Sequence, residues 1–140
     1  MKVYLTRRYL FNASHRLHNP VLSDAANREV YGKCNHPHGH GHNYFLEVTV
    51  SGPIAPETGM ICDLGALDAT VAREILNRFD HSNLNQLDDF RGIVPTTENL
   101  AVCICQILSR APLPAHLEDI RIEETANNSF EYAGGAPPRR

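Results

Sequence analysis

The chain has 140 residues, 42% hydrophobic and 21% charged, which suits one soluble globular domain built on a single core. Its formal net charge of −3 gives no global basic field for nucleic acid. No apolar run approaches the roughly 20 residues a membrane span needs, and the opening MKVYLTRRYLF lacks the apolar stretch and cleavage site of a secretion signal, so a cytoplasmic location is expected.

Residues 2–12 alternate loosely and read as a strand that runs on into FNASHRL. Residues 18–38 carry Pro, Asn, Asp and Gly and read as an excursion with a short helix near Ser23–Val30. Residues 42–51, with the run NYFLEVTVS, are the clearest strand, because aromatic and β-branched residues dominate. Gly52, Pro53 and the stretch from Pro56 to Gly59 make a turn. Asp63 is an N-cap for a helix of about four turns, with apolar residues at Leu64, Leu67, Val71, Ile75 and Phe79. A second helix begins near Thr96 or Thr97, after Pro95, carries Leu100, Ile104, Ile107 and Leu108 on one stripe, and is ended by Pro112. Two closing strands follow near 117–125 and 129–133, with Asn127-Asn128 as the turn between them. Residues 1–135 form one domain, and 136–140, in the tail GGAPPRR, read as frayed. The order strand, strand, helix, helix, strand, strand favours an α+β domain: a four-stranded antiparallel sheet with two helices on one face. So small a sheet has open edges, and pairing them between subunits would hide them, so an oligomer is expected.

The four cysteines, Cys34, Cys62, Cys103 and Cys105, make no C-x-x-C pair, so free thiols are expected rather than a cysteine-built zinc site. Histidine is the unusual count, eight in all, four of them at 36, 38, 40 and 42. If GHGHNY opens the strand, His40 and His42 point to the same side, and Gly39 and Gly41 leave the backbone uncrowded. The same period of two puts Phe11, Ala13 and His15 on one face. If the two strands pair, His15 completes a three-histidine set, which suits Zn²⁺ and leaves a fourth position open, as catalytic sites do. His38-Gly39-His40 is also H-x-H, so spacing alone leaves the register open. The strand that follows directly favours 40 and 42, and His36 and His38 then read as a solvated loop.

Cys34 lies in the loop leading to this strand. A thiol near a metal and a basic residue such as Lys33 can serve as base or nucleophile, while an inert buried thiol explains Cys62, Cys103 and Cys105 better. Asp80-His81 follows the first helix. A carboxylate can fix an imidazole's tautomer, but neighbours in a strand seldom bond through their side chains, so a third partner is implied; the competing explanation is a cation favoured by the helix C-terminus. In EDIRIEET, Ile120, Ile122 and Glu124 share one face. Glu124 thus falls on the apolar side, where a lone charge is costly. A pterin or guanine edge, with an amino group beside a ring N–H, would meet it as a two-pronged donor.

These residues resemble the 6-pyruvoyl-tetrahydropterin synthases and their relatives, the 6-carboxy-tetrahydropterin synthases. The matches are F-x-A-S-H-R-L at 11–17, G-K-C-N-x-P-x-G-H-G-H-N-Y at 32–44, P-x-T-G-M at 56–60, L/F-D-H-x-N-L at 79–84, T-T-E-N at 96–99 and E-T-x-N-N at 124–128. They run through nearly the whole chain in order. The resemblance implies His15, His40 and His42 as zinc ligands and so selects the second H-x-H. It implies Cys34 as the catalytic thiol, Asp80 and His81 as a proton-relay pair, and Glu124 as the anchor of the pterin ring with Thr96, Thr97 and Glu98 near it. It further implies the tunnelling fold, in which three subunits close their sheets into a barrel and two trimers stack as a homohexamer with active sites between subunits. The implied activity is a zinc-dependent lyase acting on 7,8-dihydroneopterin triphosphate, with Zn²⁺ and the pterin substrate as its ligands and no redox cofactor, nucleic acid or membrane. The loop resembles the pyruvoyl-forming synthases, although His36 and His38 depart from the Asn residues expected there. The same residues also satisfy the shorter C-x-x-x-H-G-H of the carboxy-forming enzymes of the queuosine pathway, which is the second reading. A non-catalytic zinc- and pterin-binding module is the third.

Overall fold

The computed structural model describes residues 1–134; the segment read as a frayed tail, 136–140, lies outside the described residues. Strand β1, Val3–His15, pairs antiparallel with β2, His40–Gly52, along its whole length. Its odd-numbered residues turn inward, so that Phe11, Ala13 and His15 are buried. On β2 the matching face carries His40, His42, Tyr44, Leu46 and Val48, the last three with no solvent exposure. Between the strands lies helix α1, Asp24–Tyr31, capped by Ser23, whose Oγ accepts from the Ala26 N–H at 3.1 Å.

Helix α2, Leu64–Val71, starts at Asp63, whose carboxylate accepts from the Gly65 N–H at 2.8 Å. It continues through a π turn, Ala72–Leu76, into α3, Asn77–Phe79. Leu67, Val71, Ile75 and Phe79 are fully buried. An i+4 repeat outruns the 3.6-residue turn by about 40° per step, and a wide π turn takes up that excess, keeping the stripe on the core. Leu64, expected in the same stripe, is exposed at the first position of the helix. Helix α4, Thr97–Ser109, is capped by Thr96 and buries Leu100, Ala101, Ile104 and Leu108. Strands β4, His116–Thr125, and β5, Asn128–Tyr132, close the chain; Ala126 and Asn127 make the turn, one residue earlier than expected.

The expected four-stranded antiparallel sheet is corrected to five strands in the order β3-β1-β2-β4-β5. The added member, β3, is only Ser82–Asn83 and runs parallel to β1 at Ala13 and Ser14. A two-residue strand carries no alternation to read; it exists because the turn after α3 lays its backbone beside β1. One core joins α2, the π turn and α4 to the inward face of β1, β2 and β4. No helix among the described residues is long and apolar enough to cross a membrane.

A polar clamp ties α2 to β1. Arg7 meets Asp68 with two parallel bonds, at 3.0 and 2.8 Å, and the Tyr9 hydroxyl donates to the same carboxylate at 2.8 Å. The Arg7 bond first, then the Tyr9 bond, hold the Asp68 carboxyl below its ordinary range. A depressed carboxyl stabilises the fold above its ordinary pKa and loses that contribution as pH falls through the lower folded value. Asp68→Asn is therefore expected to lower the melting temperature by about 2–4 °C at pH 7. The deficit should shrink in thermal unfolding below about pH 4; a deficit that is constant with pH would contradict the ionic role.

Candidate metal centre and active site

Register builds the site. His15 lies opposite His40, and Ala13 lies opposite His42, so three imidazoles meet at the end of the β1–β2 ladder on its inward face. One ring nitrogen of each lies within 4.8 Å of the others. The rings stand nearly edge to face, with centroids 4.6 Å (His15–His40), 4.7 Å (His40–His42) and 5.1 Å (His15–His42) apart. Gly39 permits this approach. Its φ is +73°, and a Cβ there would lie 2.8 Å from the His15 carbonyl oxygen. His38, the alternative partner, is exposed and sits against His36 outside the strand.

The protonation pattern suits a cation. His15 Nδ1 donates to the Pro95 carbonyl at 2.8 Å, which fixes the hydrogen on that nitrogen and leaves Nε2 with its lone pair. That Nε2 faces His40 Nε2 at 3.0 Å. His42 Nε2 is buried and has no hydrogen-bond partner. Burial first, then the neighbouring His42 imidazole, hold His40 below the ordinary histidine range; burial does the same to His15, against the Pro95 bond. Three converging ring nitrogens, one of them with no hydrogen bond among the described residues, are what a divalent ion satisfies.

Glu124 closes the same space. The face predicted for EDIRIEET holds: Ile120 and Ile122 are fully buried, and the Glu124 carboxylate comes 3.4 Å from His42 Nε2 and 3.7 Å from His15 Nε2. Its second oxygen accepts from Asn128 Nδ2 at 2.9 Å. Arg121 and Glu123 point to the other face, where they pair with Glu47 and Arg8.

Behind the imidazoles lies Tyr44, fully buried, its hydroxyl 3.4 Å from His15 Nδ1. Burial first, then the Glu124 carboxylate, raise its phenol well above the ordinary range, against an opposing bond from the Thr97 hydroxyl. Cys34 lies in the loop that leads into β2. It is half-buried in a tight turn, Gly32–Asn35, whose Cys34 carbonyl accepts from the Leu17 N–H at 2.8 Å. All four cysteines are free thiols, and burial pushes the Cys62, Cys103 and Cys105 thiols up, the second to about 11, as packing residues.

Thr97 brings a buried hydroxyl beside the Tyr44 phenol, Thr96 spends its oxygen on the α4 cap (3.2 Å from the Asn99 N–H), and Glu98 is exposed on the first turn. Asp80 and His81 are not brought to Cys34: no hydrogen bond or ion pair joins them among the described residues. His81 lines a hollow of about 640 Å³ with Asn12, Ser14, Gly41 and Asn43, which face away from the core, and with His42. The expectation that Asp80 and His81 need a third partner to meet is corrected. His81 adopts φ 59°, a turn conformation rather than a strand, and its Nδ1 reaches Asp80 directly at 3.0 Å. Asp80 also accepts from the Asn12 N–H at 2.8 Å, and that bond first, then His81, hold its carboxyl low. Sequence reasoning missed Tyr44, Asn128 and the Pro95 carbonyl as site groups. Tyr44 follows His40 and His42 at the same period of two and was legible; a backbone carbonyl leaves no signal.

The family model described as 6-pyruvoyl tetrahydropterin synthase matches residues 4–135. The chain is 47% identical over 136 residues to the 6-pyruvoyl tetrahydrobiopterin synthase of Drosophila melanogaster, covering 96% of this chain and 81% of that one. It superposes on the structure of Caenorhabditis elegans 6-pyruvoyl tetrahydropterin synthase with a TM-score of 0.91 at 39% identity, covering 96% of this chain and 97% of the other. Similarity to a putative 6-carboxy-5,6,7,8-tetrahydropterin synthase of Archaeoglobus fulgidus is lower, 34% over 94 residues, or 67% of this chain and 72% of that one.

If the three rings share one ion, His42→Ala should weaken Zn²⁺ binding by at least about 100-fold in competition with a chelating dye. His38→Ala should leave it unchanged. Equal effects of the two substitutions would contradict the assignment.

Proposed function

This chain belongs to the 6-pyruvoyl tetrahydropterin synthase family and is an enzyme, a lyase; from that premise we propose that it converts 7,8-dihydroneopterin triphosphate to 6-pyruvoyl-tetrahydropterin with release of inorganic triphosphate. The observation that carries the reading is the meeting of His15, His40, His42 and Glu124 in front of one buried tyrosine, with Cys34 in the loop that leads into β2. His15, His40 and His42 would hold Zn²⁺, which their converging ring nitrogens fit. When bound, the ion supplies Lewis acidity toward the substrate's side-chain oxygens.

The chain's own residues divide the remaining work. Glu124 accepts from the pterin's amino group and adjacent ring N–H, which fixes the ring; Asn128 holds the carboxylate in place for it. Thr97, with its buried hydroxyl beside Tyr44, and Thr96 and Glu98 at the start of α4 complete the ring's surroundings. Cys34, a half-buried free thiol, removes and returns protons on the side-chain carbons. Asp80 orients the His81 imidazole, and His81 passes the proton onward. Because the pair opens on the far side of the sheet, it serves Cys34 of a neighbouring subunit, in a homohexamer whose trimers close the sheets into barrels. The redox change is internal to the substrate, so no nicotinamide takes part.

The carboxy-forming reaction is the second reading, favoured by the C-x-x-x-H-G-H spacing from Cys34 to His40. The higher identity to the pyruvoyl-forming relative supports the first. The relatives' enzymatic names set aside the non-catalytic module. Incubation with dihydroneopterin triphosphate and mass spectrometry of the products separates the two reactions; acetaldehyde and a 6-carboxy product would replace the first reading by the second. Cys34→Ala is expected to keep its zinc while kcat falls roughly 10²–10⁴-fold. Full turnover in that variant would remove Cys34 from the mechanism.

A further inference from the structure

The chain is acidic overall, yet its unpaired cations are not scattered. Lys2, Arg7, Arg8, Arg73, Arg78, Arg91 and Arg121 each contact a carboxylate within 4.0 Å. Among the described residues, Arg16, Arg28, Lys33 and Arg110 make no ion pair. Three of these four, Arg16, Arg28 and Lys33, line one cavity of about 800 Å³ between the end of β1, helix α1 and the start of β2. His36 and His40 line it too, with one carboxylate, Asp24. Since unpaired cations repel one another, gathering three of them around a hollow costs free energy unless an anion fills it.

Arg16 is pre-set for such a partner. Its backbone is gripped on both sides by the Asn85 side chain: the N–H donates to Asn85 Oδ1 at 2.7 Å, and the carbonyl accepts from Asn85 Nδ2 at 2.8 Å. Its Nε donates to the Asn35 carbonyl at 3.0 Å, and Asn35 is buried and tied in turn to the Leu17 carbonyl at 2.8 Å. The guanidinium is therefore held by one edge, with its two terminal nitrogens unspent. A fork fixed in this way loses little entropy on meeting a phosphate. His40 belongs to both places: it is one of the three converging imidazoles, and it lines the basic cavity. The cavity thus opens beside the reacting centre.

We propose that this cavity binds a polyphosphate, with Arg16, Arg28 and Lys33 as its cationic contacts, and that it seats the triphosphate of the substrate beside the histidine centre. The second half of the statement rests on the reading under Proposed function; the first does not. No bond is made or broken in the cavity. Its work is to hold the anionic arm before elimination and the released anion after it, so Arg16, Arg28 and Lys33 are binding residues and not proton carriers. Asp24 opposes the anion from the same rim.

The test uses the intact zinc-loaded protein and inorganic tripolyphosphate as the probe, titrated by calorimetry. The wild type is expected to bind it, with affinity falling as salt rises. Arg28→Gln and Lys33→Gln are each expected to weaken binding roughly five- to tenfold, the weight of one partly exposed charged contact. Asp24→Asn should tighten it, and Arg110→Gln, outside the cavity, should leave it unchanged. In turnover, Arg28→Gln and Lys33→Gln should raise KM for dihydroneopterin triphosphate with little change in kcat, while binding of dihydroneopterin without phosphates stays as in the wild type. That last measurement also shows that the variants are folded. Absence of tripolyphosphate binding, or equal binding by the wild type and both cation variants, would overturn the proposal. Binding through these residues by a protein that leaves dihydroneopterin triphosphate intact would support the anion site and remove the lyase reading. Normal turnover with unmoved KM in both variants would do the reverse.

Discussion

The pairing register of the first two long strands is the constraint on which the rest of the molecule depends. His15 lies opposite His40 and Ala13 opposite His42, so three imidazoles from two distant segments fall on one face at one end of one ladder. A slip of a single residue would send one strand's histidines to the opposite face. What prevents the slip is apolar: Phe11 and Tyr44, opposite each other, stack with centroids 5.2 Å apart, and the ladder continues through Leu46 and Val48 in the core. The hydrophobic pattern of the strands thereby fixes the geometry of the polar site at their end.

The site is held at both levels. Behind His15 stands the Pro95 carbonyl, which sets its tautomer, and Pro95 is placed by the turn that opens α4. On the other flank, Glu124 arrives on β4 by the same strand alternation that buries Ile120 and Ile122. The loop holding Cys34 is stapled to the chain after β1 by the Leu17–Cys34 backbone bond and by the Asn35 side chain. Buried polar groups are costly when unpaired. His42 Nε2, buried among the converging rings, makes no hydrogen bond among the described residues, and the Glu124 carboxylate stands 3.4 Å from it. The unpaired cations Arg16, Arg28 and Lys33 lie next to this site. Groups left unsatisfied in the folded chain are the ones a metal, a pterin and an anion would satisfy.

Much of this was legible in the sequence, for physical reasons. Helix caps at Ser23, Asp63 and Thr96 are local chemistry, so the helix starts were readable from single residues. The long strands were readable because one face is buried, which imprints a period of two. The face carrying Glu124 followed from the same period. The unread parts are those where backbone geometry decides. Strand β3 is two residues long and forms by position, not by pattern. The Asp80–His81 contact needs His81 in a left-handed turn, which no side-chain periodicity announces. The π turn in the first long helix hides behind a pattern that an ordinary helix also explains. Gathering of the unpaired cations into one cavity is a property of three-dimensional placement, since Arg16, Arg28 and Lys33 come from three different elements.

The most direct test of the account is a crystal structure with anomalous diffraction recorded on both sides of the zinc absorption edge. One zinc peak per chain, bonded to Nε2 of His15, His40 and His42, is the predicted result. A peak at His36 and His38 with the other three rings unbound, or no zinc peak in crystals grown with the metal, would contradict it.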